Sequence, residues 1–280
     1  MCQLHKSLYG LKQAPRAWLQ RLSEQLLELG FEESKVDCSL FTLCTNTFKL
    51  FVLVYIDDII ITGSSSSAII SFIDSLKENF HIRDLGQLSY FLGVEAKRSN
   101  KGLHLWQAKY ISDLLESTKM QGAKPLACPT TSGMKLSSNA GTLQSDPTEY
   151  RRIVGALQYC TITRPDISYA VNQLCQFMHN PRDSHWIATK SVLRYLKGTV
   201  VYGLFYSPST IDIHVYCDSN WVGNPDDRRS TSGFSIFLGK NLISWCAKKQ
   251  GVVSRSSTGA EYRSMALATP EAYWIRMLIK

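Results

Sequence analysis

The 280-residue chain has no cysteine or histidine pair at the spacing of a metal finger. Its eight cysteines (Cys2, Cys38, Cys44, Cys128, Cys160, Cys175, Cys217, Cys246) include no CxxC, and its six histidines no HxxxH. That argues against a zinc site and a disulfide framework. Most of the cysteines lie in apolar context, as buried free thiols do, so an intracellular, reducing compartment (cytoplasm or nucleus) is expected. A long hydrophobic run is also missing. The best stretch, FVLVYIDDIIITG, is broken by acids, so no segment spans a bilayer and no membrane partner is expected. MCQLHKSLYG lacks the apolar core of a signal peptide, and there is no internal repeat. Charge is present in both signs but unbalanced: 31 Lys and Arg against 23 Asp and Glu leave +8, which favours a polyanionic partner.

The break in the apolar run is the most informative feature that is present. Phe51 to Ile56 and Ile59 to Ile61 read as buried strands rich in Val and Ile. Two adjacent carboxylates between them, Asp57 and Asp58, repel each other and resist desolvation. A polar turn facing water is one reading. The other is a tight hairpin whose tip offers carboxylate oxygens to a divalent cation, half of a two-metal phosphoryl-transfer site.

Length suggests two domains. Helical spacing runs from Pro15 to Gly30, with Trp18, Leu22, Leu26 and Leu29 on one face. Strands near 39–43, 49–56 and 59–62 precede a helix at 68–80, an α+β arrangement. Residues 88–105 read as extended with a hairpin through Ser99 to Gly102, followed by a helix over 109–119. Met120 to Pro147, rich in Gly, Pro, Ser and Thr, is the linker candidate. Helices are expected over 148–159, from Arg164-Pro165-Asp166 to about 179, and over 184–197. Strands follow near 211–217, 233–238 and 241–247, then a last helix from Thr258 that Pro270 should kink or break.

Three blocks in order, SLYGLKQAPRAW (7–18), YIDD (55–58) and a strand-end Asp218 followed by RRSTSG and SSTGAEY, resemble the Pol polyprotein of copia-type retrotransposons. DLGQLSYFLG, GALQYCTITRPDISYAV and LRYLKGT agree, and the resemblance covers essentially the whole chain. It implies an RNA-directed DNA polymerase (reverse transcriptase) followed by a ribonuclease H region. The fold class implied is α+β: a partial palm and thumb over 1–120, a linker and helical connection over 121–208, and a partial ribonuclease H-like domain over 209–280.

The resemblance assigns Asp57 and Asp58 to Mg²⁺ beside the primer end, with Mn²⁺ as an alternative, and packs Tyr55 close to that end. Gln13 falls near the template–nucleotide pair. Lys12 reads equally as a phosphate contact and as a solvated helix-end lysine. Gly102 to Tyr110 matches the primer-grip region, with Trp106 where a small polar residue is usual. Asp218 and Glu261 match two metal-binding carboxylates of ribonuclease H. Asp226 and Asp227 read as solvated turn residues, and Asp37 as a structural acid. Implied partners are an RNA template, an RNA–DNA hybrid and deoxynucleotides.

The family's third polymerase aspartate precedes the SLYGLKQ block, and later ribonuclease H acids follow the helix bearing Glu261. The expectation is therefore a fragment truncated at both ends, inactive by itself unless complemented by an intact Pol copy. The alternative is a catalytically dead nucleic-acid-binding remnant with no selected enzymatic role.

Overall fold

The computed structural model describes residues 14–56, 58–130 and 135–279. Helices and sheets are mixed, and the chain divides into two compact units.

The first unit holds the described residues up to Leu88, together with those from Trp274. Helix α1 (Ala14–Glu28) buries Leu22 and Leu26, one turn apart. It ends where Gly30 takes φ 87° and Phe31 N–H returns to the Leu26 carbonyl, a left-handed cap that suits glycine. Strands β1 (Glu32–Glu33), β2 (Leu40–Cys44), β3 (Lys49–Tyr55) and β4 (Asp58–Gly63) then form an antiparallel meander in sequence order. Helix α2 (Ser66–Asn79) starts at Ser65, whose hydroxyl accepts the Ala68 N–H. Alternation along β3 buries Leu50, Val52 and Val54 on one face, where they join Phe41, Phe72 and Leu76.

The second unit runs from Ser89 to Tyr273. Strands β5 (Tyr90–Phe91), β6 (Val94–Ser99) and β7 (Gly102–Trp106) precede α3 (Ala108–Ser117). Helices α4 (Thr148–Cys160), α5 (Ser168–Cys175) and α6 (Asp183–Gly198) pack with α3 around Ile111, Leu114, Tyr150, Ile153, Leu157, Leu174 and Leu193. A short strand β8 (Gly203–Tyr206) then joins β7, in a stretch read from sequence as helical connection. Four residues are too few for a period-2 pattern to stand out.

Arg164 is 1% exposed. Its guanidinium donates to Asp166 at 2.7 and 3.0 Å and to the Thr199 carbonyl and hydroxyl at 2.9 and 2.7 Å. Tyr195 donates to the same carboxylate at 2.7 Å, and the guanidinium lies over the rings of Tyr195 and Tyr202. The RPD and YLKGT blocks are thus one buried latch between the start of α5 and the end of α6.

Strands β9 (Ile213–Asn220), β10 (Thr231–Leu238) and β11 (Asn241–Lys249) form an antiparallel sheet in the order β11-β10-β9. Helix α7 (Ser257–Leu278) follows and runs unbroken through Pro270. The break that Pro270 could impose does not occur. Packing of Ala260, Ser264 and Ala268, all buried, holds the helix where a missing N–H alone would weaken it.

The thiols differ from expectation. Among the described residues Cys160 is buried, Cys175, Cys217 and Cys246 are half-buried, and Cys38, Cys44 and Cys128 are exposed. Asp226 and Asp227 are more than solvated turn residues. Asp226 accepts from Ser137 hydroxyl and Ser138 N–H at 2.5 and 2.7 Å, and Asp227 pairs with Lys249 at 2.8 Å. No described helix is long and apolar enough to cross a membrane.

Candidate functional site

Strands β3 and β4 stay in register from Leu50↔Gly63 to Tyr55↔Asp58, so the connection between them is only two residues long and begins at Ile56. Loops of this length favour left-handed backbone, which Asn and Gly adopt readily. Here Ile56 takes φ 53° and is 59% exposed. A β-branched side chain in that region is strained and finds no burial in return. Tyr55 and Asp58 flank the loop and are both exposed. Asp57, Gln13 and Lys12 lie outside the described residues.

Asp37 has a local structural task. Its carboxylate accepts the Ser39 N–H at 3.0 Å and the Ser39 hydroxyl at 2.6 Å, setting the turn into β2.

The second pair of acids lies in the other unit. Asp218 is in β9, opposite Gly233 of β10, and Glu261 is in the first turns of α7. Ser264, three residues after Glu261, donates to the Asp218 and Gly233 carbonyls at 2.7 and 3.0 Å. The helix is therefore fastened to the strand at Asp218 itself. Alternation divides the side chains between two faces. Ser219, Ser232 and Ser244 face α7, where Gln250 binds the first two and Glu271 the third. Asp218 shares the opposite face with Asn220, Thr231 and Trp245, which meet Tyr169, Gln173 and the Thr161 carbonyl. A cleft of about 390 Å³ lies on that face, lined by Asp218, Tyr216, Ser235, Tyr169 and Trp245.

The donors are hard carboxylate oxygens, the right chemistry for a divalent cation. They are not assembled into a cage: among the described residues no three of His, Cys, Asp or Glu converge. The Asp218 side chain lies on the sheet face away from α7.

Residues 1–132 match the reverse transcriptase (RNA-dependent DNA polymerase) family. Across its whole length the chain is 50% identical to the retrovirus-related Pol polyprotein from transposon RE2 of Arabidopsis thaliana. It is 32% identical, over 93% of its length, to the putative transposon Ty5-1 protein of Saccharomyces cerevisiae, of which 86% is covered. The chain belongs to the copia-type retrotransposon Pol family. An uncharacterized mitochondrial protein of Arabidopsis thaliana is 47% identical over 80% of the chain and 94% of that relative. The chain spans 19% of the length of the RE2 polyprotein.

One positioning residue of this Pol chain escaped the sequence reading. Gln250 donates to Ser219, Ser232 and the Ala260 carbonyl at 2.9–3.1 Å, and its own carbonyl accepts from Ser254 at 2.9 Å. It joins β9, β10 and the first turn of α7, one residue from Glu261. A glutamine beside a glycine carries no sequence signal of that task.

Proposed function

We propose that this Pol chain is the segment of a retrotransposon reverse transcriptase that carries the palm hairpin, thumb and helical connection, followed by the first part of a ribonuclease H-like domain. The observation that carries this reading is the two-residue YIDD loop. A left-handed Ile56 kept in a two-residue connection between two well-registered strands, with the exposed Asp58 at the start of the second, is a costly way to make an ordinary bend. Asp57 and Asp58 would hold Mg²⁺, which would supply Lewis-acid stabilisation of the transferring phosphoryl group. Tyr55 would flank the primer end and Gln13 the template–nucleotide pair, with Lys12 near a phosphate. Asp218 and Glu261 would be the corresponding carboxylates of the ribonuclease H part. Substrates on this reading are an RNA template, an RNA–DNA hybrid and deoxynucleotides.

The 280-residue polypeptide by itself is, on this proposal, inactive. Two acids per site, with Asp218 on the sheet face away from the helix that bears Glu261, leave charge and geometry incomplete for two-metal chemistry. Primer extension on an RNA template with Mg²⁺ or Mn²⁺ tests it. The expected result is background extension, identical for the Asp58→Asn variant. Extension lost in Asp58→Asn would overturn the inactivity and make the hairpin a working site.

A second reading, a remnant that grips nucleic acid without chemistry, is favoured by the +8 charge. Hybrid binding that falls steeply with added salt supports it, and salt-independent affinity refutes it.

A further inference from the structure

The cleft on the outer face of the β9–β10–β11 sheet holds an acid with no cation beside it. Register lays two rows across its floor: Asp218–Gly233–Ala247, and Tyr216–Ser235–Trp245 two residues along the strands. Glycine and alanine keep the first row low, so the exposed Asp218 side chain stands beside open space of about 390 Å³. Facing it, the start of α5 supplies Ser168 and Tyr169.

Three rings are held around this space. The Trp245 indole donates to the Thr161 carbonyl at 3.0 Å, and the Tyr169 hydroxyl accepts from Asn220 at 3.2 Å. Tyr216 meets Phe237 edge-on, with ring centroids 5.8 Å apart. Tyr169 and Tyr216 are nonetheless 46% and 64% exposed, so their rings remain open to a ligand. The charge at their centre is unanswered. Among the described residues the Asp218 carboxylate has neither an ion pair nor a hydrogen bond, and no Lys, Arg or His lines the cleft. Lys249, on the same face opposite Thr231, is taken by Asp227 at 2.8 Å. The Ser168 hydroxyl is buried in the lining and, among the described residues, has no partner.

A lone carboxylate offers Mg²⁺ few oxygens. Aromatic faces attract organic cations, and a carboxylate beside a hydroxyl selects one that carries N–H donors. A guanidinium meets both demands, being planar for stacking and forked for two parallel bonds to a carboxylate. We propose that this cleft binds a guanidinium group, the head of an arginine side chain. Asp218 is its counter-ion, Tyr169, Tyr216 and Trp245 are its walls, and Ser168 is a further acceptor. The site does not rest on the ribonuclease H reading, which asks the same carboxylate to hold Mg²⁺.

Two-dimensional ¹H–¹⁵N NMR of the full chain tests it, read at the Trp245 indole N–H and assigned with Trp245→Phe. The probe is N-acetyl-L-arginine amide. Its signal shift should saturate, while the uncharged, isosteric citrulline amide should give none and the lysine amide should bind more weakly. Asp218→Asn should weaken binding about tenfold with an unchanged unfolding midpoint. Tyr216→Ala should weaken it about threefold, and Tyr216→Phe should retain it. Acetyl-Gly-Arg-Gly amide separates the sources: tighter binding than the single residue supports an arginine within a polypeptide, and equal binding a free guanidinium ligand. No saturable shift, equal binding of the citrulline or lysine amide, or wild-type affinity in Asp218→Asn would each overturn the site. Displacement of the probe by millimolar Mg²⁺ at constant ionic strength would overturn it too, and return Asp218 to a metal. Absence of any shift without a response to Mg²⁺ would leave the ribonuclease H reading to its own test.

Discussion

The helical core of α3 to α6 and the sheet of β9 to β11 with the part of α7 up to Tyr273 lie in one compact unit and are held in different ways. The core is closed: apolar side chains fill it from four helices, and one buried arginine ties its ends together. The sheet is open. Among the described residues β9 pairs with β10 alone, over eight unbroken partners, and its outer edge carries neither lysine nor proline. Its attachment to α7 adds a polar network, Gln250 and Ser264, to buried apolar residues, Phe234, Ile236, Ala260 and Ala268. A buried polar network is firm when complete and costly when one member is lost. Apolar packing fills the first region, and the second depends in addition on the completeness of its hydrogen-bond network.

Arg164→Ala should break the contrast most severely. It leaves the partly exposed Asp166 carboxylate with Tyr195 in place of its cation and removes four hydrogen bonds, at a cost of about 3–5 kcal/mol in unfolding free energy. Urea unfolding measures it, and a loss below about 1 kcal/mol would mean that the latch is decorative. Gln250→Ala comes next, at about 1–3 kcal/mol, because three partners lose their donor. Hydrogen exchange should then rise in β9 and the first turns of α7 while α4 and α6 keep their protection. Equal loosening of both regions would erase the distinction.

Burial opposes the Asp166 charge, but hydrogen bonds from Arg164 and Tyr195 outweigh it and hold the carboxyl below its ordinary range. The stability from this group is therefore full above the unfolded value, about 3.9, and is lost as pH falls through the lower folded value. Thermal midpoints of wild type should drop across that acidic window, and those of Asp166→Asn should drop less. Parallel curves would count against it. The smallest effect is expected at the hairpin. Ile56→Asn relieves the left-handed strain and should raise stability by up to about 1 kcal/mol, measured by thermal melting. A decrease would mean that Ile56 makes a contact worth more than its strain.

What could be read from the residues follows from the range of the forces involved. The strands beside YIDD were legible because Val and Ile alternate or run together there, and Gly30 announced the end of α1. Helices α4 and α6 were legible from apolar spacing. The β8 strand was not, because GLFY is short and finds its partner about a hundred residues earlier in β7. Nor was the task of Gln250, whose three partners lie on three elements. The RPD block was read as a helix start, which it is. That Arg164 would be buried and answered by Tyr195 and Thr199 needed the fold. Asp218 and Glu261 were legible as acids in the right order. Which side of the sheet Asp218 takes depended on strand parity within a register set by β10.

Parity has a further consequence at the YIDD hairpin. With strands paired from Leu50 to Tyr55 and from Asp58 to Gly63, side chains swap faces at every residue. A single codon gained or lost within β4 would turn its remaining side chains over, trading Ile59 and Ile61 for Ile60 and Thr62 against the core. Changes of two codons preserve the faces. Substitutions can accumulate across this segment in a degenerate copy of the element, but an odd-length insertion or deletion there exposes the core face unless a β-bulge absorbs it, as between Ile236 and Phe237. Among degenerate copies that still fold, length differences within the hairpin strands should therefore come in even steps or be marked by a bulge.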